Sequence, residues 1–218
     1  MHTIQADFDR IARLEDLRWN HNRHYHPFLL RQLPSRLVEA LDVGCGQGDF
    51  ARLLALRAER VLAIDLSPEM IQRAKEQSAQ HPNIRYQVTD VMAWEWPTDQ
   101  YDCIVSIATL HHLSLADVLI HMKDALKPGG TLLVLDLFHQ DGVTLRDFIA
   151  VVASASLKFL KNGRLREPAA LRAAWGAHAK HDHYLPLSEI REICASILPG
   201  ACVQQHLLWR YSIVWKKP

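Results

Sequence analysis

Residues 41–50 read LDVGCGQGDF, an apolar run ending in an acid set directly against Gly44, Gly46 and Gly48. Glycine has no Cβ and tolerates positive φ, so backbone at such a turn comes very close to a small bound molecule. The helix expected next, Asp49 to Leu56, points its positive end at the same place. Spacing separates the ligands that use turns of this kind. A dinucleotide site wants GxGxxG, whose third glycine lets helix and strand pack closely, and here Asp49 holds that position. A P-loop needs GxxxxGK[ST], and no Gly-Lys pair stands in this stretch.

Working outward, residues 41–137 repeat one pattern of short apolar run, turn and helical period. The runs are Val38–Val43, Val61–Leu66, Ile84–Thr89, Cys103–Ala108 and Thr131–Leu137. Ser67-Pro68-Glu69 supplies a cap, a proline at the first helical position and an early acid. Ser114 with Asp117 forms a capping-box pattern, and that helix stops at Lys127-Pro128-Gly129-Gly130. Apolar strands alternating with helices predict a doubly wound α/β fold, a mostly parallel seven-stranded, Rossmann-like sheet. The last stretch, ACVQQHLLWRYSIVWKKP, predicts a C-terminal antiparallel hairpin on the sheet edge, its runs separated by Leu208–Arg210. A single domain is expected over 1–218, with a helical N-terminal cap at 1–34 that ends in a polar, His-rich stretch. The cofactor-binding core follows at 35–138, a helical insertion or lid at 139–186, broken near Asn162-Gly163, and a final helix and hairpin at 187–218.

Composition narrows the class. The chain has 218 residues, 49% of them hydrophobic, and 25 Lys+Arg against 24 Asp+Glu give a net charge of +1. No overall field draws it to nucleic acid or anionic lipid. No run approaches the roughly 18 apolar residues of a membrane span, and the N-terminus has no signal-peptide core. Cys45, Cys103, Cys194 and Cys202 form no CxxC, which fits reduced thiols and a cytoplasmic protein. Lys158, Lys161, Arg164 and Arg166 lack an aromatic ladder and read as a solvated helix end. No nucleic-acid or membrane partner is expected.

Three more features join the glycine turn: Asp65 closing VLAID, Asp90 closing YQVTD, and the pair YDCIVSIATLHHL with ALKPGGTLLVLDL. Together, over residues 38–138, they resemble the class I S-adenosylmethionine-dependent methyltransferases. The resemblance implies S-adenosylmethionine as cofactor and S-adenosylhomocysteine as product. It places Asp42, Gly44, Cys45, Gly46 and Gly48 at the methionine part, Asp65 at the ribose hydroxyls, and Leu66 and Met70 beside the adenosine. Asp90 and Val91 fall at the adenine, and Ser106, Ile107 and Ala108 beside the cofactor on the fourth strand. A dinucleotide-dependent oxidoreductase and a non-catalytic cofactor-binding module are the alternatives.

Methyl transfer from a sulfonium is an in-line displacement, so positioning dominates, and a hydroxyl or ammonium acceptor also needs a base. His111, just past the fourth strand, is the candidate base, with His112 beside it at the acceptor. The fourth strand lacks Asn-Pro-Pro-Tyr and Asp-Pro-Pro-Tyr, which disfavours nucleobase amines and protein glutamine as acceptors. It also lacks the terminal acid that catechol-type relatives use for Mg²⁺, leaving a small-molecule acceptor. Two stretches, HNRHYH and HAKHDH, share HxxHxH, but helical spacing spreads those imidazoles and no metal is expected. From the first, Tyr25 is placed at the cofactor and His24 at the acceptor. From the second, His178, His181 and Tyr184 join Trp175 as lid residues facing the acceptor, with Asp182 between them.

Overall fold

The computed structural model describes residues 4–14, 19–139, 142, 145–163, 168–180 and 182–218. Seven strands, β1 (Leu37–Val43), β2 (Ala58–Asp65), β3 (Ile84–Val88), β4 (Tyr101–Ile107), β5 (Leu126–Leu137), β6 (Cys202–Gln205) and β7 (Arg210–Lys216), form one sheet. Its order is β3-β2-β1-β4-β5-β7-β6. β1 pairs in parallel with β2 and β4, β2 with β3, and β4 with β5. β7 runs antiparallel between β5 and β6. The C-terminal hairpin therefore puts only β6 on the edge, while β7 is interior. The chain leaves β1 toward β2 on one side and returns to β4 on the other, so the order reverses at β1. A crevice opens at the carboxyl ends of such strands.

Alternation along the strands fills two cores. Leu41, Val43, Ile104, Leu132 and Val134 face α5 (Leu115–Ala125) and α8 (Leu187–Ile197). Ala40, Cys103, Val105, Leu133 and Leu135 face α2 (His21–Arg31) and α3 (Asp49–Ala55). The remaining helices are α1 (Ile4–Leu14), α4 (Pro68–Gln77), α6 (Leu145–Asn162) and α7 (Ala169–His178). Buried aliphatics at this density are costly to remove: truncating Leu54, fully buried on α3, is expected to cost about 2–5 kcal/mol.

Local signals act in two ways. Ser67 caps α4 as its sequence predicts, its Oγ accepting from the Met70 amide at 3.1 Å, whereas Ser114 precedes α5 without a side-chain cap bond. The His-rich stretch does not end the first helix: it is α2. Asn20 caps it by accepting from the Arg23 amide at 3.0 Å, and Tyr25 and Leu29, four residues apart, bury one face. Pro27 sits inside α2, where it gives up one backbone donor. All four cysteines are free, with Cys45, Cys103 and Cys194 buried. No helix among the described residues is long and apolar enough to cross a membrane.

Candidate active site

The three turn glycines all have positive φ, at 70°, 51° and 76°, but they answer to different neighbours. A Cβ on Gly44 would fall 2.0 Å from Thr109 Oγ1, and one on Gly48 2.3 Å from Tyr86 Oη. At Gly46 a Cβ would meet nothing within 4 Å, because this residue faces open space. The close helix-to-strand contact that GxGxxG assigns to its third glycine is thus made here by Gly48 against β3. The Gly44 and Cys45 amides donate to the Ile64 carbonyl at 2.9 and 3.0 Å. The Gly46 amide donates to Asp65 Oδ2 at 2.8 Å, and the Ser67 amide to Asp65 Oδ1 at 2.9 Å. One carboxylate at the end of β2 therefore ties the glycine turn to the start of α4.

The space beside Gly46 is a cavity of about 250 Å³. Asp42, Asp65 and Asp90, which end or follow β1, β2 and β3, stand around it, with Leu66, Met70, Val91, Ile107 and Ala108 as apolar walls. Ala108 holds φ at 53°, a strained conformation for a residue with a Cβ. Asp42 is 2% exposed, and its Oδ2 has no hydrogen-bond partner. Burial first, and then the Asp65 charge, raise its pKa from 3.8 to about 7. Burial also raises Asp65. Across the cavity, Arg23 of α2 grips Asp49 at 2.7 and 2.6 Å through Nε and Nη2, and Arg52 reaches the same carboxylate at 2.6 Å. Arg23 and Asp49 line the cavity and Arg52 does not, and the Asp49 charge adds to the rise at Asp42.

A second constellation lies behind His112, at the end of β4. His111 Nδ1 is 2.6 Å from Asp136 Oδ1, and the His111 amide donates to Asp136 Oδ2 at 3.0 Å. Asp136 ends β5 fully buried. With the acid accepting from Nδ1–H, the lone pair of His111 sits on Nε2. His111 and His112 lie with ring centroids 3.9 Å apart. Burial, and then the neighbouring His111, lower the His112 pKa to about 4, so it is neutral. His112 Nδ1 and His178 Nε2 each stand 3.5 Å from Asp182 Oδ1, and His178 Nδ1 stands 3.5 Å from Asp7 Oδ2. Tyr184 donates to Asp182 Oδ2, and Phe8 of α1 packs on both His112 and His178.

Most of the residues named from sequence meet at the cavity: Asp42, Gly44, Cys45, Gly46, Asp65, Leu66, Met70, Asp90, Val91, Ile107, Ala108, His112 and Trp175 all line it. Others do not. Tyr25 turns its hydroxyl to the Leu207 carbonyl at 2.5 Å, under the C-terminal hairpin, so it anchors α2 rather than meeting a cofactor. His24 lies exposed against Trp19 and Tyr25. Ser106 points to β1 and donates to the Val43 carbonyl at 2.9 Å, and Gly48 faces Tyr86. His111 lines a neighbouring cavity of about 360 Å³ instead. His178 and Tyr184 stand behind His112 rather than on the wall, and His181, Arg164 and Arg166 lie outside the described residues. Sequence reasoning missed Asp136, although it ends a strand just as Asp42 and Asp65 do, and it missed the Arg23–Asp49 pair, which no local spacing signals.

The protein-family comparison matches a methyltransferase domain over residues 40–130. An uncharacterized methyltransferase of Mycobacterium bovis is 32% identical over 214 residues, covering 93% of this chain and 99% of that protein. A ubiquinone biosynthesis O-methyltransferase of Xylella fastidiosa is 29% identical over 80% of this chain and 77% of its own length. Among solved structures, the N-methyltransferase NodS from Bradyrhizobium japonicum, crystallised with S-adenosyl-L-homocysteine, superposes with a TM-score of 0.65 over the whole of both chains at 21% identity.

Proposed function

Since this chain belongs to the class I S-adenosylmethionine-dependent methyltransferases, we propose that it methylates a hydroxyl oxygen of a small-molecule acceptor lodged at His112, where the cofactor cavity meets the neighbouring cavity that His111 lines. The cavity fits the cofactor on its own evidence. Gly46 leaves bare the volume that a Cβ would fill, and the orphaned Oδ2 of Asp42 calls for a cation. When bound, S-adenosylmethionine supplies a methyl group activated by positive sulfur.

The chain's residues divide the remaining work. Asp65 accepts from the ribose hydroxyls with the lone pairs that Gly46 and Ser67 leave open. Asp90 and the Val91 amide meet the adenine, and Leu66 and Met70 exclude water from the adenosine. Asp42 takes the ammonium group and Arg23 the carboxylate, so a zwitterionic amino acid spans the two. His111 removes the acceptor's proton at Nε2, while Asp136 holds the ring and offsets the imidazolium charge. His112 and Trp175 border the acceptor. Support for an oxygen acceptor comes from this histidine–carboxylate pair and from the named activity of the Xylella relative.

The observation that carries the reading is the ring of strand-end carboxylates around a glycine with no Cβ. The test is calorimetry with S-adenosylhomocysteine, followed by labelled-methyl transfer to a panel of phenols, hydroquinones and carboxylic acids. Micromolar binding with transfer to an oxygen is expected. No binding at millimolar ligand overturns the cofactor assignment, and transfer only to amines overturns the oxygen assignment.

A further inference from the structure

The cluster behind His112 holds more ligating groups than one proton acceptor requires. Among the described residues, His111, His112 and Asp182 each bring one ligating atom within 4.8 Å of the others. His178 Nε2 lies 3.5 Å from the same Asp182 oxygen that His112 Nδ1 approaches at 3.5 Å. These separations exceed good hydrogen bonds, and the atoms have no hydrogen-bond partners. His112 Nδ1, both nitrogens of His178 and Asp182 Oδ1 are buried and unsatisfied, although the side chains are only 6%, 2% and 5% exposed. Buried polar atoms are rarely left so. Ligand atoms about 2.0–2.2 Å from a tetrahedral ion stand roughly 3.3–3.5 Å from each other; the 3.5 Å between His112 Nδ1 and Asp182 Oδ1 is of that size, and His111 brings a ligating atom within 4.8 Å of both residues.

The surroundings agree. Ligating histidines commonly hold a carboxylate on the opposite nitrogen, which fixes the ring. Asp136 does this at Nδ1 of His111. Tyr184 binds the second oxygen of Asp182 and so leaves Oδ1 turned inward. Asp136 and Asp182 set two carboxylates beside the imidazoles, with the buried Arg210 near Asp136 and Tyr184. The residues come from α1, the β4 exit, the end of β5 and the end of α7, which is why neither HxxHxH stretch discloses the set. His178 and Asp182 share a stretch, but His111, His112 and Asp136 lie within the cofactor core and Asp7 ahead of it.

We propose that His111, His112 and Asp182 bind one divalent transition-metal ion at the back wall of the cofactor cavity, leaving its fourth position open. A set of imidazoles with one carboxylate suits Zn²⁺ or a neighbouring ion and does not suit Mg²⁺ or Ca²⁺, which take oxygen ligands. The ion and the proton-accepting role compete for Nε2 of His111. With the ion in place, an acceptor hydroxyl bound to it loses its proton to solvent and attacks as the oxyanion, and His111 is a ligand rather than a base. Only this consequence rests on the proposed methyl transfer; ion binding itself does not.

The test uses the full, untagged chain stripped with a chelator and titrated with Zn²⁺ and Co²⁺. One equivalent per chain is expected, with the visible absorption of four-coordinate cobalt. Asp182→Asn and His112→Gln should each weaken binding roughly tenfold or more, whereas His24→Ala, in the exposed part of α2, should leave it unchanged. Anomalous X-ray scattering from zinc-soaked wild-type crystals should place the ion between His112 and Asp182, which needs no variant to fold. Absence of stoichiometric binding, or an ion found only elsewhere, overturns the proposal. S-adenosylhomocysteine titrated into the stripped protein reports on the cofactor reading separately, because its binding requires no metal.

Discussion

If Asp42 takes the cofactor's ammonium group as proposed, cofactor binding depends on pH in a way that can be worked out in advance. Burial and the facing carboxylates of Asp65 on β2 and Asp49 on α3 keep its proton on until about pH 7, against 3.8 for a free aspartate. The unfolded chain ionises Asp42 near 3.8 and the folded chain near 7, so ligand-free stability falls as pH rises between those values and is level above. At 1.36 kcal/mol per pH unit the loss is on the order of 4 kcal/mol. A cofactor ammonium placed against Oδ2 reverses the preference and expels the proton on binding. Affinity should therefore rise from pH 5.5 to 7.5 on the order of 20-fold, a window below the titration of an α-amino group itself. Calorimetry in two buffers of different ionisation enthalpy should count close to one proton released at pH 6. Asp42→Asn should flatten both the affinity profile and the pH dependence of the ligand-free melting temperature. If wild type binds S-adenosylhomocysteine equally at the two pH values, or the Asn variant keeps the slope, Asp42 does not face the ammonium.

Asp65→Ala removes the acceptor of two ribose hydroxyls and should weaken cofactor binding by about 2–4 kcal/mol in calorimetry; an unchanged dissociation constant refutes the ribose assignment. Gly44→Ala must both strain a left-handed residue and displace Thr109, so it should lower stability by about 2–4 kcal/mol in denaturant melts. Gly46→Ala should cost only about 1 kcal/mol of stability yet lower cofactor affinity at least about tenfold, since its Cβ enters the cavity; equal effects of the two substitutions contradict the division drawn here. Asp136→Asn should reduce kcat roughly 100-fold or more with little change in acceptor KM. A change confined to KM would place Asp136 in acceptor binding instead of behind His111.

The fold was legible because strand and helix alternation is a local signal, and doubly wound connectivity follows from it with few choices. The gathering of the strand-end acids at one cavity was legible for the same reason. A carboxylate that ends a parallel strand is delivered to the carboxyl edge of the sheet wherever the strand falls in the order, and Asp42 and Asp65 follow that rule. Side chains on helices have no such guarantee. Tyr25 and His24 are adjacent on α2, but the helix rotates one under the hairpin and the other into solvent, and only packing against Leu207 decides which. Ser106 shows the limit inside a strand: alternation turns it toward the Val43 carbonyl rather than into the crevice. The histidine cluster was least legible. Asp7, His112, His178 and Asp182 converge only after α1 and α7 fold over the end of β4, and no periodicity encodes that convergence.

The three glycines of the turn carry different obligations into the chain's descendants. Position 44 cannot grow unless residue 109 shrinks, and position 48 is bound in the same way to Tyr86, so each should drift only in step with its neighbour. Position 46 meets no protein atom in this way and, on the proposed reading, answers to the ligand instead. A lineage that abandoned the chemistry while keeping the scaffold would therefore alter Gly46 first, and that substitution would mark a retired enzyme before any other part of the sequence did.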